Sequence, residues 1–147
     1  MSPEQNKELV RRYIQDVWGK GDYEAERELV SPKYIDHNAG PGMQGGLTGH
    51  HTMVEGFHKA FSSLEFNVEL LVAQGDKVVD HWTGCGRQTG VFMGIPPTAK
   101  EYRMSGTDIV RLKDGKIVET WHVENMGTIQ DMTGWNQQPA MAAPSVN

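Results

Sequence analysis

Cysteine is almost missing from this 147-residue chain, with Cys85 the single example. An internal disulfide is excluded, and the composition suits a reducing, cytoplasmic setting. No catalytic motif surrounds Cys85, which reads as a strand residue. Positive charge is also scarce: 14 Lys and Arg stand against 19 Asp and Glu, a net charge of −5. There is no basic run or patch, so no nucleic-acid partner is expected. No apolar stretch approaches the roughly 20 residues that span a bilayer. The opening MSPEQNKELV lacks the apolar segment of an export signal, so no membrane role is expected. Neither GxxxxGK[ST] nor GxSxG occurs, which removes support for phosphate-loop binding and serine hydrolysis. His51 and His58 lie two helical turns apart with Glu55 one turn from each, but no Asp, Cys or third His completes a ligand set, and no metal is expected.

What is present is a pattern of helices followed by strands. Ser2-Pro3-Glu4-Gln5 forms a capping box with proline at the first helical position. Leu9, Val10, Tyr13, Ile14, Val17 and Trp18 then mark one helical face, stopped by Gly19 and Gly21. Asp22 caps a short second helix, with Glu24 and Glu26 in its first turn. Ser31-Pro32 is expected to end it, before an extended segment from Tyr34 to His37. Residues 40–49 hold five glycines and a proline, a loop long enough to act as a lid. A third helix bearing Met53, Val54, Phe57, Phe61 and Leu64 is expected next.

From Glu65 the period changes to two. Strands are expected at 65–73, 77–90, 101–113 and 116–126, with hairpin turns at Gln74-Gly75-Asp76 and Asp114-Gly115. A last helical turn is expected from Met126 to Met132. Helices first and antiparallel strands after them argue α+β. One domain over 1–134 with a loose tail over 135–147 fits the length. Three helices on a strongly curved sheet leave one end open, and that end makes a pocket.

Four segments carry a family resemblance in the right order: LVRRYIQDVWGKGDYE, SPKYIDHN, GDKVVDHWTGCGRQTGVFMGIPPTAK and GTDIVRLKDGKIVETWHVEN. Together they resemble the SnoaL-like polyketide cyclases of the NTF2-like superfamily, over about residues 5 to 134. The resemblance implies a cone of about three helices on a curved, mostly antiparallel sheet. It also implies an intramolecular aldol closure by general acid/base catalysis, without metal or cofactor. The family's last strand usually carries acidic residues in patterns such as Trp-Asp-x-x-Asp. This chain reads Trp121-His122-Val123-Glu124-Asn125, with histidine after the tryptophan and asparagine at the later acidic position.

Alternation on the last strand places Val118, Thr120, His122 and Glu124 on one face. On the preceding strand Tyr102, Met104, Gly106, Asp108 and Val110 share a face, and a buried Asp108 calls for a partner. A His122–Asp108 pair would answer that need, as a catalytic dyad or as a structural anchor. A three-residue loop with a glycine bulge sets Asp108 opposite Thr120, diagonal to His122. A two-residue turn instead sets Asp108 opposite Trp121 and sends His122 to the other face.

His81 is a further candidate, as a donor to a developing enolate oxygen; the alternative is a solvated strand histidine. Trp82 reads as packing. His37 and Tyr34 belong to a Tyr-x-x-His pattern that the resemblance places at the cone's entrance. His37 is either a hydrogen-bonded structural residue or a substrate contact. Tyr13 and Trp18 are core or cavity wall, and Asn125 could hold a carbonyl or a water.

The expected ligand is a hydrophobic, oxygenated small molecule, and the expected assembly a homodimer. Two other readings compete. One is a non-catalytic binding or dimerisation module. The other is a hydrolase resembling limonene-type epoxide hydrolases, whose Asp–Arg–Asp group has no clear counterpart because Arg103 faces away from Asp108.

Overall fold

The computed structural model describes residues 1–40 and 42–129. Helix α1 (Pro3–Arg12) begins at the expected box: the Ser2 side chain accepts from the Gln5 N–H and the Gln5 side chain accepts from the Ser2 N–H. It runs on as a π-helix over Tyr13–Gly19. In an i→i+5 turn, residues five apart come round to a similar side, and this segment turns both Tyr13 and Trp18 toward the sheet's concave face. Helix α2 (Tyr23–Leu29) is capped by Asp22, whose carboxylate accepts from Glu24 and Ala25.

Strand β1 (Val30–Asp36) follows α2 directly, so Ser31-Pro32 lies inside a strand and does not merely terminate the helix. β1 is an edge strand, where proline's missing N–H is tolerated. Helix α3 (Gly46–Ala60) starts inside the expected glycine loop. Gly49 is required there, because a Cβ would stand 1.9 Å from the Gln44 carbonyl oxygen. The helix stops before Phe61 and Leu64, which open strand β2 (Phe61–Gln74). Phe61 is extended and packs its ring on Phe57 and Phe92, so tertiary contact overrides the helical spacing.

Strands β3 (Lys77–Gln88), β4 (Glu101–Lys113) and β5 (Lys116–Asn125) complete one five-stranded sheet, order β1-β5-β4-β3-β2. β1 runs parallel to β5 and every other pairing is antiparallel. Three helices cover one face of this curved sheet, the α+β cone expected from the sequence. Val10, Val17, Val54, Val78, Val110 and Ile117 form an apolar inner core, each fully buried. A second cluster around Phe57, Phe61, Phe92 and Met104 fills the far end. Between β3 and β4, the Gln88 amide donates to the carbonyls of Gly90, Ile95 and Pro96. That anchor folds the Pro-Pro loop back and delivers Phe92 to the interior.

The β4–β5 hairpin fixes the register of the site, and it follows neither expected alternative. Asp114 and Gly115, both with positive φ, make a two-residue turn with Lys113 opposite Lys116. The pairing then shifts by one residue, since Leu112 pairs with Ile117 but Arg111 with Glu119. The extra residue, Val118, is a β-bulge that reverses which side chains face inward. It puts Asp108 directly opposite His122 and keeps His122 on the concave face. The tail over 135–147 lies outside the described residues, as does the end of the turn expected from Met126.

Candidate active site

A cavity opens on the concave face, bordered by the loop around Met43 and Gln44. Its walls are aromatic, from Trp18, Phe57, Phe66, Trp82 and Phe92, and two polar clusters face it from opposite sides. Trp82, read in the sequence as packing rather than substrate contact, lies on the wall, where Gly106 leaves room. A Cβ there would meet the indole at 2.5 Å.

The first cluster is built by three strands. His122 on β5 engages both ring nitrogens: Nε2 with Asp36 of β1 at 2.7 Å, and Nδ1 with Glu124. Its backbone N–H donates to the Asn38 side chain at 2.9 Å, tying β5 to the chain beyond β1. Burial would lower the imidazole's pKa. The hydrogen bonds and charges of Asp36 and Glu124 outweigh burial and raise the pKa to about 10. At neutral pH His122 is therefore an imidazolium. In that state it has no lone pair for a metal, although Asp108, His122 and Glu124 are the described residues grouped closely enough to hold one.

The expected direct His122–Asp108 hydrogen bond is replaced by these two bonds. Asp108 stands alongside, with a carboxylate oxygen within 4.8 Å of the His122 and Glu124 ligand atoms. Behind it, on β3, Asp80 is wholly buried and opposite Asp108 in register. No donor among the described residues reaches either Asp80 oxygen. Burial pushes Asp80 strongly up, and the Asp108 charge adds to this. Burial also raises Asp108. Two carboxyls so placed share a proton, with Asp80 holding it and Asp108 carrying the charge.

The second cluster was missed at the sequence level. The His50 Nδ1–H donates to Glu26 at 2.9 Å, and the Tyr13 hydroxyl meets His50 Nε2 at 2.6 Å. All three residues are buried. The half-exposed His51 donates to the other Glu26 oxygen at 3.0 Å. Burial raises the Glu26 pKa, but its bonds to His50 and His51 prevail and leave it below the ordinary value. Burial holds the Tyr13 phenol well above its ordinary pKa. Tyr34 bonds Thr120 beside this group and meets the His50 ring edge-on at 5.1 Å. The available signal was weak: Glu26 read as a helix-dipole residue, and His50 was passed over beside the His51–His58 pair rejected as a metal site.

Of the residues singled out in the sequence, Tyr13, Trp18, Tyr34, Asp108 and His122 line the cavity. Three lie elsewhere. His81 is on the outer sheet face, bonded to the Thr107 hydroxyl at 3.1 Å, because Asp80 and Trp82 take the inward positions. His37 is also outside: it pairs with Glu119 at 2.7 Å and stacks on Trp121 with ring centroids 4.4 Å apart. Asn125 is exposed and accepts the Gly127 N–H, closing the turn after β5.

The profile of the SnoaL-like polyketide cyclases matches residues 8–131. The chain belongs to this family. Solved structures agree on the fold. A SnoaL-like polyketide cyclase of Jannaschia sp. CCS1 is 27% identical, covers 95% of this chain and 98% of its own, and superposes with a TM-score of 0.74. AclR of Streptomyces galilaeus, assigned as a hydroxylase, is 25% identical over 95% of this chain and 89% of its own, TM-score 0.75. TsrD of Streptomyces laurentii is 22% identical over 92% and 98%, TM-score 0.79, and speaks for the fold alone. No curated protein sequence is significantly similar. No helix among the described residues is long and apolar enough to cross a membrane.

Asp80 gives the first testable consequence. Its folded pKa lies above its unfolded one, so the unfolded chain releases a proton that the fold retains. Stability therefore falls as pH rises from the ordinary carboxylate range toward the raised folded value. Asp80→Asn removes this penalty. Thermal melts should show Tm raised by a few degrees, more at pH 8 than at pH 5. A Tm lowered equally at both would contradict a buried neutral acid.

Proposed function

We propose that this SnoaL-like protein is a cyclase or isomerase that needs no cofactor and works by general acid/base catalysis on a hydrophobic, oxygenated, polyketide-like molecule. The observation that carries the reading is Asp108: a carboxyl with a raised pKa, open to an aromatic cavity, with a fixed imidazolium beside it. The roles differ from those expected for the pair. His122 is held charged by two carboxylates, so it stabilises negative charge and does not abstract protons. Asp108 is the base. A carboxylate whose pKa lies nearer neutrality is better matched to a carbon acid than an ordinary aspartate.

The step balances as follows. Asp108 removes a proton from carbon next to a carbonyl. The electron pair forms an enolate, whose carbon attacks a second carbonyl of the same molecule. A C–C bond forms, the C=O π bond breaks, and its oxygen takes a proton from the Tyr13 hydroxyl. The proton that Asp108 took up is then lost to solvent and Tyr13 regains one from solvent, while His50, fixed by Glu26, keeps the phenol in place. The aromatic walls exclude water and hold the substrate folded.

A hydrolase of the Asp–Arg–Asp type has less support, because no Arg or Lys lines the cavity among the described residues. Assembly is a separate matter. Ile35, Leu70, Val72, Ile109 and Val123 are all exposed on the outer sheet face. We read that face as the interface of a homodimer, and the cytoplasm as the protein's location.

Two experiments test this. For the catalytic part, α-proton exchange of a polycyclic 1,3-diketone in D2O is followed by NMR. Asp108→Asn should slow enzyme-dependent exchange by roughly 10²–10⁴. Undiminished exchange in that variant removes Asp108 from the base role. For the dimer, light scattering on the eluted protein should give twice the 16.4 kDa chain mass, and Val123→Lys should shift it toward monomer. A wild-type monomer at micromolar concentration would exclude the interface.

A further inference from the structure

The reading of the cavity as a substrate site leaves the substrate's charge open, and the titratable groups around it bear on that charge. Asp36 faces it from β1, Asp108 from β4, and His122 and Glu124 from β5. Asp80 lies directly behind Asp108, wholly buried, with no donor on either oxygen among the described residues. On the opposite wall Glu26 is matched by His50 and His51. No Lys or Arg is among the lining residues.

The charge balance of the strand cluster is unequal. It holds four carboxyls: Asp36, Asp80, Asp108 and Glu124. One shared proton satisfies Asp80, and one imidazolium, His122, offsets one further charge. Two negative charges are left facing the cavity. The His122 bonds use Asp36 Oδ1 and Glu124 Oε1, one oxygen of each carboxylate. The other lining residues include Trp18, Phe57, Phe66 and Trp82, aromatic rings whose faces also favour positive charge. A carboxylate brought into this space adds a like charge in a poorly solvated site, which is costly. An ammonium meets both the excess carboxylates and the ring faces.

We propose that the cavity selects by charge, accepting flat apolar molecules that carry a basic nitrogen, protonated at neutral pH, and rejecting carboxylates. The nitrogen is received by Asp36 and Glu124, which leaves Asp108 to the substrate's carbon acid, and the ring system lies against the aromatic wall. This rests on the reading of the cavity as the substrate site, and it narrows that site's ligands to amines or neutral molecules.

The test uses the full chain and three matched probes: 1-naphthylmethylamine, 1-naphthylmethanol and 1-naphthoate. Affinities are measured by calorimetry at pH 7 and low salt. The amine should bind at least about tenfold more tightly than the alcohol, and the carboxylate about tenfold or more weakly. In Glu124→Gln the ratio of amine to alcohol affinity should fall toward one, with Asp36→Asn as a second variant should the first fail to fold. An alcohol that binds as well as the amine, or a ratio unchanged in both variants, overturns charge selection while leaving the cavity reading intact. Failure of all three probes to bind overturns both.

Discussion

The double hydrogen bond of His122 to Asp36 and Glu124 is the contact on which the rest of the site depends. It ties β1 to β5 at the mouth of the cone, where the two strands run parallel. It also fixes a positive charge among carboxyls that could not otherwise be gathered in a half-buried place. Without it Asp36, Asp108 and Glu124 would repel one another, and the fold would have to protonate or separate them. With it, Asp108 is left ionised next to a cation yet raised by burial, the condition under which a carboxylate removes a proton from carbon.

The backbone prepares this arrangement through two local irregularities. The Val118 bulge sets the inward face of β5, and the π-helical turn after α1 brings Tyr13 and Trp18 to the same cavity. Bulges and π-turns recur near functional sites because each re-aims a side chain without altering the fold. Gly106 belongs with them, since its missing side chain leaves room for the Trp82 indole on the cavity wall.

Much of the fold was legible in the sequence. The capping box, the Asp22 cap and the Asp-Gly turn report local physics, and each is found in the structure; the change of period expected at residue 65 comes earlier, at Phe61. Helix ends were less legible: Phe61 has helical spacing from Phe57, and only its packing against Phe92 shows that it begins a strand. That Thr120, His122 and Glu124 share one face of β5 could be read, but not which way that face points, which the bulge decides. The partner of His122 could not, because Asp36 is 86 residues away and the bulge has no sequence signature. Glu26 and His50 escaped for the same reason, each being unremarkable until α2 and α3 are docked. His81 misled because alternation gives two faces without saying which is inner, and a buried aspartate on the inner one is the rarer outcome. The relatives named as cyclases and as a hydroxylase share this cone, so the fold narrows the chemistry less than these side chains do.

The protonation state of His122 is the most direct test. Side-chain ¹⁵N NMR of the histidine-labelled protein, assigned with His122→Gln, reads both ring nitrogens across a pH titration. The account requires an imidazolium, protonated at both nitrogens through neutral pH and releasing its proton only near pH 10. A neutral ring that titrates near the ordinary histidine value of about 6.5 would contradict it. Asp108 would then have no fixed cation beside it, and the acid/base assignment would fail.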